Sequence, residues 1–146
     1  MRTKKILTTV LALILCLFCI SGCGLKKEEY HLNITQMPQY KTLTRNPVKI
    51  RVVFTYEYIG EFELTDEESI NTITSYLFDQ CYYGYNQTGD GRFGWSLFFT
   101  DQDGVETEVR LSVKYKTKYT YDLVYPMEFY KYLHDKGFEL GKLIAR

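Results

Sequence analysis

Few residues in this sequence have the types and spacing that chemistry near neutral pH requires. Histidine is the usual acid–base group there, and only His31 and His134 are present. A zinc site needs three or four Cys, His or carboxylate ligands at workable spacing. Cys16 and Cys19 lie inside an apolar run, Cys23 closes that run, and Cys81 stands alone in the rest of the chain. Pairing Cys81 with His134 as nucleophile and base needs facing elements and an exposed thiol. The pattern around Cys81 instead puts it on an apolar helical stripe, as a small core residue. Asp101-x-Asp103-Gly104 echoes the start of a calcium loop, but such a loop ends on a Glu at its twelfth position, which here is Ser112. The segment reads as a hairpin turn with glycine at positive φ. Gly94-Trp95-Ser96-Leu97-Phe98 does not match a Gly-x-Ser-x-Gly elbow, and Gly89-Asp90-Gly91 lacks the third glycine of a dinucleotide site. The expectation is therefore no catalytic residue, no metal and no cofactor.

What remains is recognition chemistry carried by aromatic rings. Tyr82, Tyr83, Tyr85, Arg92, Phe93 and Trp95 fall in or beside a glycine-rich stretch, 82–94, that reads as a long loop. Aromatic residues and arginine dominate binding hot spots. These six residues form the candidate surface for a protein partner.

Composition narrows the choice of partner. The chain has 146 residues, with 18 Lys and Arg against 18 Asp and Glu. That balance leaves no basic excess for a nucleic-acid backbone. A charged fraction of 25% and an apolar fraction of 45% are values of a folded domain rather than a disordered one.

The N-terminus reads as an address. Arg2, Lys4 and Lys5 precede an apolar run from Ile6 to Ile20, broken only by Thr8 and Thr9. That run is shorter than the roughly 20 residues a membrane-spanning helix needs, and it has the form of a signal-peptide h-region. It ends in Ile20-Ser21-Gly22-Cys23. This ending resembles the lipobox of bacterial lipoproteins: an apolar residue, two small residues and a cysteine. The resemblance implies that Cys23 receives a diacylglyceryl group and becomes the mature N-terminus once residues 1–22 are removed. Removal takes three basic residues and no acid, leaving the mature chain net negative. Acyl chains, at about 0.8 kcal/mol per buried CH₂, would then supply the attachment to the membrane. Only Cys81 would remain as a thiol, so the domain must hold together without a disulfide.

The elements follow from periodicity. Residues 23–47 read mainly as a tether, in which Tyr30, Leu32, Ile34 and Tyr40 could add an edge strand. From Val48 the chain alternates apolar and polar residues to Tyr58, a strand pattern. Ile59-Gly60 reads as a turn and residues 61–64 as a second strand. Thr65 with Glu68 reads as a capping box, followed by a helical stripe of Ile70, Ile73, Leu77 and Cys81. Strands are expected at 95–100, 105–115 and 119–125. Pro126 starts a second helix with Phe129, Tyr130 and Leu133 inward and Gly137 as its C′ residue. Phe138, Leu140, Leu143 and Ile144 form a tail.

The order β-β-α-β-β-β-α predicts an α+β two-layer sandwich. An antiparallel sheet of about five strands would carry two helices on one face. The expected organisation is a signal peptide at 1–22, lipidated Cys23 and tether at 23–47, and one domain at 48–146. This domain also resembles small uncharacterised lipoprotein domains of Gram-positive bacteria, through its Thr-Asp-Glu-Glu helix start and later Asp-x-Asp-Gly hairpin. The functional expectation is a non-enzymatic binding domain held by lipid on the extracytoplasmic face of the membrane, with an envelope or secreted protein as partner. The alternatives are an inhibitor or immunity lipoprotein and a cell-wall-modifying enzyme using carboxylates.

Overall fold

A computed structural model describes residues 27–87, 94–116 and 118–146. The strands are β1 (His31–Asn33), β2 (Lys49–Thr55), β3 (Tyr58–Leu64), β4 (Tyr82–Asn86), β5 (Trp95–Thr100), β6 (Glu106–Arg110), β7 (Ser112–Tyr115), β8 (Tyr119–Val124) and β9 (Leu143–Ala145). The helices are α1 (Glu67–Ser75) and α2 (Met127–Glu139). The fold is α+β with antiparallel pairing throughout. Its strands form two sheets rather than one: five strands in the order β6-β5-β2-β3-β9, and four in the order β1-β4-β8-β7.

The division arises at Leu111. Residues 105–115, which alternate as one strand, bend there. β6 stays on β5, while β7 pairs with β8 in the other sheet. The Leu111 side chain is buried and its carbonyl accepts the N–H of Leu123 at 2.7 Å. A strand that switches sheets in this way makes the corner between two packed sheets.

The five-stranded sheet keeps the expected inner face. Ile50, Val52, Phe54, Leu97, Phe99 and Val109 are buried. On its outer face Arg51 pairs with Glu106 at 2.6 Å and lies over the Phe98 ring at 3.9 Å. α1 is capped by Asp66, one residue after the expected Thr65: its Oδ1 accepts the Ser69 N–H at 2.8 Å. That hydrogen bond favours the charged carboxylate and lowers its pKa. The helix continues as a π turn, Tyr76–Gln80. Leu77 and Cys81 are buried beyond Ile73, and Tyr76 stacks on Phe129 of α2 at 5.1 Å.

Two glycines take roles other than those expected. The first hairpin turns at Tyr56 and Glu57, while Gly60 lies inside β3 opposite Leu143 of β9. A Cβ on Gly60 would sit 2.0 Å from the Lys142 carbonyl oxygen. Glycine within a strand marks such a close backbone approach. Gly137 is inside α2, where a Cβ would lie 2.4 Å from Leu143 Cδ1. The C′ residue is Gly141, at φ 64°. The N–H groups of Lys142 and Gly141 donate to the carbonyls of Gly137 and Phe138, both at 2.9 Å, closing a Schellman motif. Both glycines thus make room for β9. Gly60→Ala is expected to cost about 1–3 kcal/mol and to loosen β9. Urea unfolding and amide exchange at Leu143 measure this, and an unchanged midpoint with protected β9 amides would contradict it.

The segment at 31–43 is packed rather than tether. β1 pairs with β4, which is the edge-strand alternative. Ile34, Met37, Tyr40 and Leu43 then follow at every third position, and all are buried. Backbone N–H groups of Met37, Tyr40 and Leu43 donate to the carbonyls three residues earlier. A chain turning every three residues puts each third side chain on one face, and here that face is the core.

Candidate functional site

The four expected recognition residues that are described, Tyr82, Tyr83, Tyr85 and Trp95, do not share one exposed surface. Residues 82–86, read as part of a loop, are strand β4 inside the four-stranded sheet. Alternation therefore sends Tyr83 and Tyr85 to the inner face and Tyr82 to the outer one. Tyr83 is fully buried, stacked on Tyr40 at 5.7 Å. Tyr85 is half-buried among Tyr30, Tyr119 and Tyr121, at 5.4, 5.7 and 5.8 Å. Tyr82 is half-buried and stacks on His31 at 3.7 Å. Trp95 is buried against Tyr125 and Phe129. Arg92 and Phe93 lie outside the described residues, as do Cys23 and the signal-peptide segment. Tyr83 is thus a structural residue and cannot serve as a contact for a partner.

The sheet corner at Leu111 creates a cleft of about 700 Å³ that the sequence reading missed. Arg110, Glu108, Ser112, Lys114, Tyr40 and Thr120 are among its lining residues. Arg110 is the last residue of β6, an edge strand, so its outward backbone groups have no strand neighbour. Tyrosine hydroxyls take that place. The Tyr83 hydroxyl donates to the Arg110 carbonyl at 2.5 Å, and the Arg110 N–H donates to the Tyr40 oxygen at 3.2 Å. Burial pushes both phenols above their ordinary pKa, Tyr83 well above it.

With its backbone held, Arg110 projects its side chain into solvent beside Glu108, which it pairs at 2.5 Å. The hydrogen bond to Glu108 raises the guanidinium pKa further. Lys114 donates to Thr120 Oγ1 at 2.7 Å, and the Lys114 carbonyl accepts from Gln39 Nε2 at 3.3 Å. Behind the cleft, Asp122 is buried and accepts from Ser112 Oγ at 2.5 Å and Asn86 Nδ2 at 2.8 Å. The lining thus offers two cations, one paired carboxylate and hydroxyl groups on a braced frame. That set suits hydrogen-bonded recognition of a polar surface. Alternation along 105–115 puts Arg110 and Lys114 on the polar face of a strand. Only the bend at Leu111 turns that face into a wall of the cleft.

The other chemistry-bearing groups are in structural settings. Asp101 Oδ1 accepts the N–H groups of Asp103 and Val105, both at 2.9 Å, and Gly104 has φ 81°, so the segment is a hairpin turn. His134 is half-buried, packed on Tyr58 at 4.6 Å and hydrogen-bonded to Asp135. Among the described residues no three His, Cys, Asp or Glu side chains group to hold a metal ion. Cys81 is buried, and burial pushes its thiol up to about 12. At pH 8 iodoacetamide is therefore expected to label Cys81 only after unfolding in urea. Fast labelling of the native protein would contradict the burial.

The buried phenols and the thiol also set an alkaline limit. A proton that binds more tightly in the folded state stabilises the fold below the unfolded-state pKa, and that contribution is lost as pH rises above it. Stability is expected to fall from about pH 9 upward, where unfolded Cys and Tyr begin to ionise. The urea midpoint of a Tyr83→Phe variant should fall less steeply over pH 9–11 than that of the parent, and equal slopes would contradict this.

No protein family, curated protein or solved structure matches the chain.

Proposed function

We propose that this is a bacterial lipoprotein, held through Cys23 on the extracytoplasmic face of the membrane, whose domain binds an envelope or secreted protein. The observation that carries the anchor is Ile20-Ser21-Gly22-Cys23 at the end of a short apolar run with a basic start. The fold adds a geometric consequence. Packing begins at Glu29, whose carbonyl accepts the Tyr121 hydroxyl, so five residues separate Cys23 from the first packed position. Even fully extended they reach about 18 Å. The domain is therefore carried against the bilayer, facing partners that are themselves at the membrane. The cleft beside Arg110 supplies the polar recognition surface.

Photo-crosslinking on intact cells tests the binding role. Arg110 projects into solvent, so Arg110→p-benzoylphenylalanine leaves the core untouched. One dominant protein adduct from position 110, absent when the same group replaces exposed Ile144, is the expected result. No protein adduct from a correctly localised chain would overturn the reading of a protein partner. The partner's identity distinguishes an inhibitor of an exported enzyme from an accessory subunit of an envelope assembly.

A further inference from the structure

A second, smaller pocket lies on the other side of the sheet corner. Its volume is about 270 Å³, and Phe54, Tyr58, Trp95, Tyr125 and Tyr130 line it, with Glu57 at its rim. Neighbouring rings of its wall meet at steep angles. Trp95 and Tyr125 are 5.2 Å apart at 69°, and Phe54 and Tyr130 are 6.2 Å apart at 62°. Rings set this way build a box and not a flat stack. Each ring face carries negative electrostatic potential that attracts a cation, and methylated ammonium groups are bound by such boxes.

Charge points the same way. Glu57 sits on the turn between β2 and β3 and is exposed. Its backbone carbonyl accepts the Arg146 N–H at 3.1 Å, and its carboxylate has no ion pair among the described residues. Its field reaches Tyr130, whose phenol is pushed up first by burial and then by Glu57. The hydroxyl stays protonated at neutral pH and the ring stays neutral. The volume lies below the roughly 300–1,000 Å³ of sites for drug-sized molecules, so the occupant is small.

We propose that this pocket binds a small methylated-ammonium solute, its cationic head inside the aromatic walls and balanced by Glu57. The site is distinct from the Arg110 cleft, and its test involves neither the membrane nor a protein partner. Failure here therefore leaves the anchoring and crosslinking results standing.

Trp95 is the sole tryptophan, so its emission reports on the pocket directly. Tetramethylammonium chloride, titrated into the detergent-solubilised full chain, is expected to change that emission saturably and to give a matching heat in calorimetry. Sodium chloride at equal ionic strength should produce no saturation. Glu57→Gln, at an exposed turn that no core contact depends on, should weaken the apparent affinity about tenfold. Tyr56→Ala, at a lining residue that is 61% exposed, should weaken it without unfolding the domain. A response identical to that of sodium chloride in both emission and heat would overturn the proposal. So would saturable binding that Glu57→Gln leaves unchanged.

Discussion

A chain beginning at Val48 is expected not to fold, whereas one beginning at Lys27 should unfold cooperatively in urea. Val48 is where regular strand alternation starts, and a sequence-based boundary falls there. Truncation at that point removes Leu32, Ile34, Met37, Tyr40 and Leu43, none more than 8% exposed. Burying a side chain of this size contributes about 1.5–3 kcal/mol. Five of them contribute roughly 10 kcal/mol, comparable with the whole stability of a domain, about 5–15 kcal/mol. The loss also strips β1 from β4 and takes the Tyr40 hydroxyl from the Arg110 N–H. The shortened chain should bind a hydrophobic dye and show no cooperative transition. Equal urea midpoints for the two chains would show that residues 31–43 are tether after all.

Replacing Tyr83 is expected to separate core from surface at the residue where the two readings differ most. Tyr83→Ala removes a fully buried ring from between Tyr40 and the inner sheet face, at a cost of about 3–5 kcal/mol. Tyr83→Phe keeps the ring and removes only the hydroxyl donor to the Arg110 carbonyl. It should cost about 1 kcal/mol, because the part-buried Arg110 carbonyl loses its hydrogen-bond partner. Tyr82→Ala, one residue earlier but on the outer face, gives up its stacking on His31 and should cost less than about 1 kcal/mol. Urea midpoints of the three variants check the order. A neutral Tyr83→Ala would return Tyr83 to the recognition surface.

These two cases also show how far the sequence could be read. Ile50, Val52 and Phe54 alternate with Lys49, Arg51, Val53 and Thr55, and the inner face of the five-stranded sheet follows from that period directly. Ile70, Ile73 and Leu77 mark the helical stripe by the same logic. Residues 34–43 escaped because their buried side chains recur every three positions, a period that neither strand nor helix templates test. β4 escaped because Gly84 interrupts its aromatic run, and glycine is read as a breaker. In sequence Gly60 and Gly137 look like chain punctuation. Their roles depend on β9, a strand far away in sequence that packs against both.

The Arg110 cleft was illegible for a different reason. Arg110, Ser112 and Lys114 carry no motif, and the bend at Leu111 that makes them a wall depends on pairing of β7 with β8. The aromatic pocket likewise assembles from Glu57, Trp95 and the Tyr125–Tyr130 stretch, which lie on three separate segments. In both places the side chains were visible in sequence, but their neighbourhood was a property of the sheet corner.

The proposed anchoring rests on Cys23. Mass spectrometry of the full chain, expressed in a bacterium and extracted from its membranes, tests this directly. The account predicts a chain that begins at Cys23 with a diacylglyceryl group on its sulfur, and a Cys23→Ala variant that retains residues 1–22 and lacks lipid. A membrane-bound chain that keeps residues 1–22 unlipidated, or a lipidated Cys23→Ala variant, would contradict it.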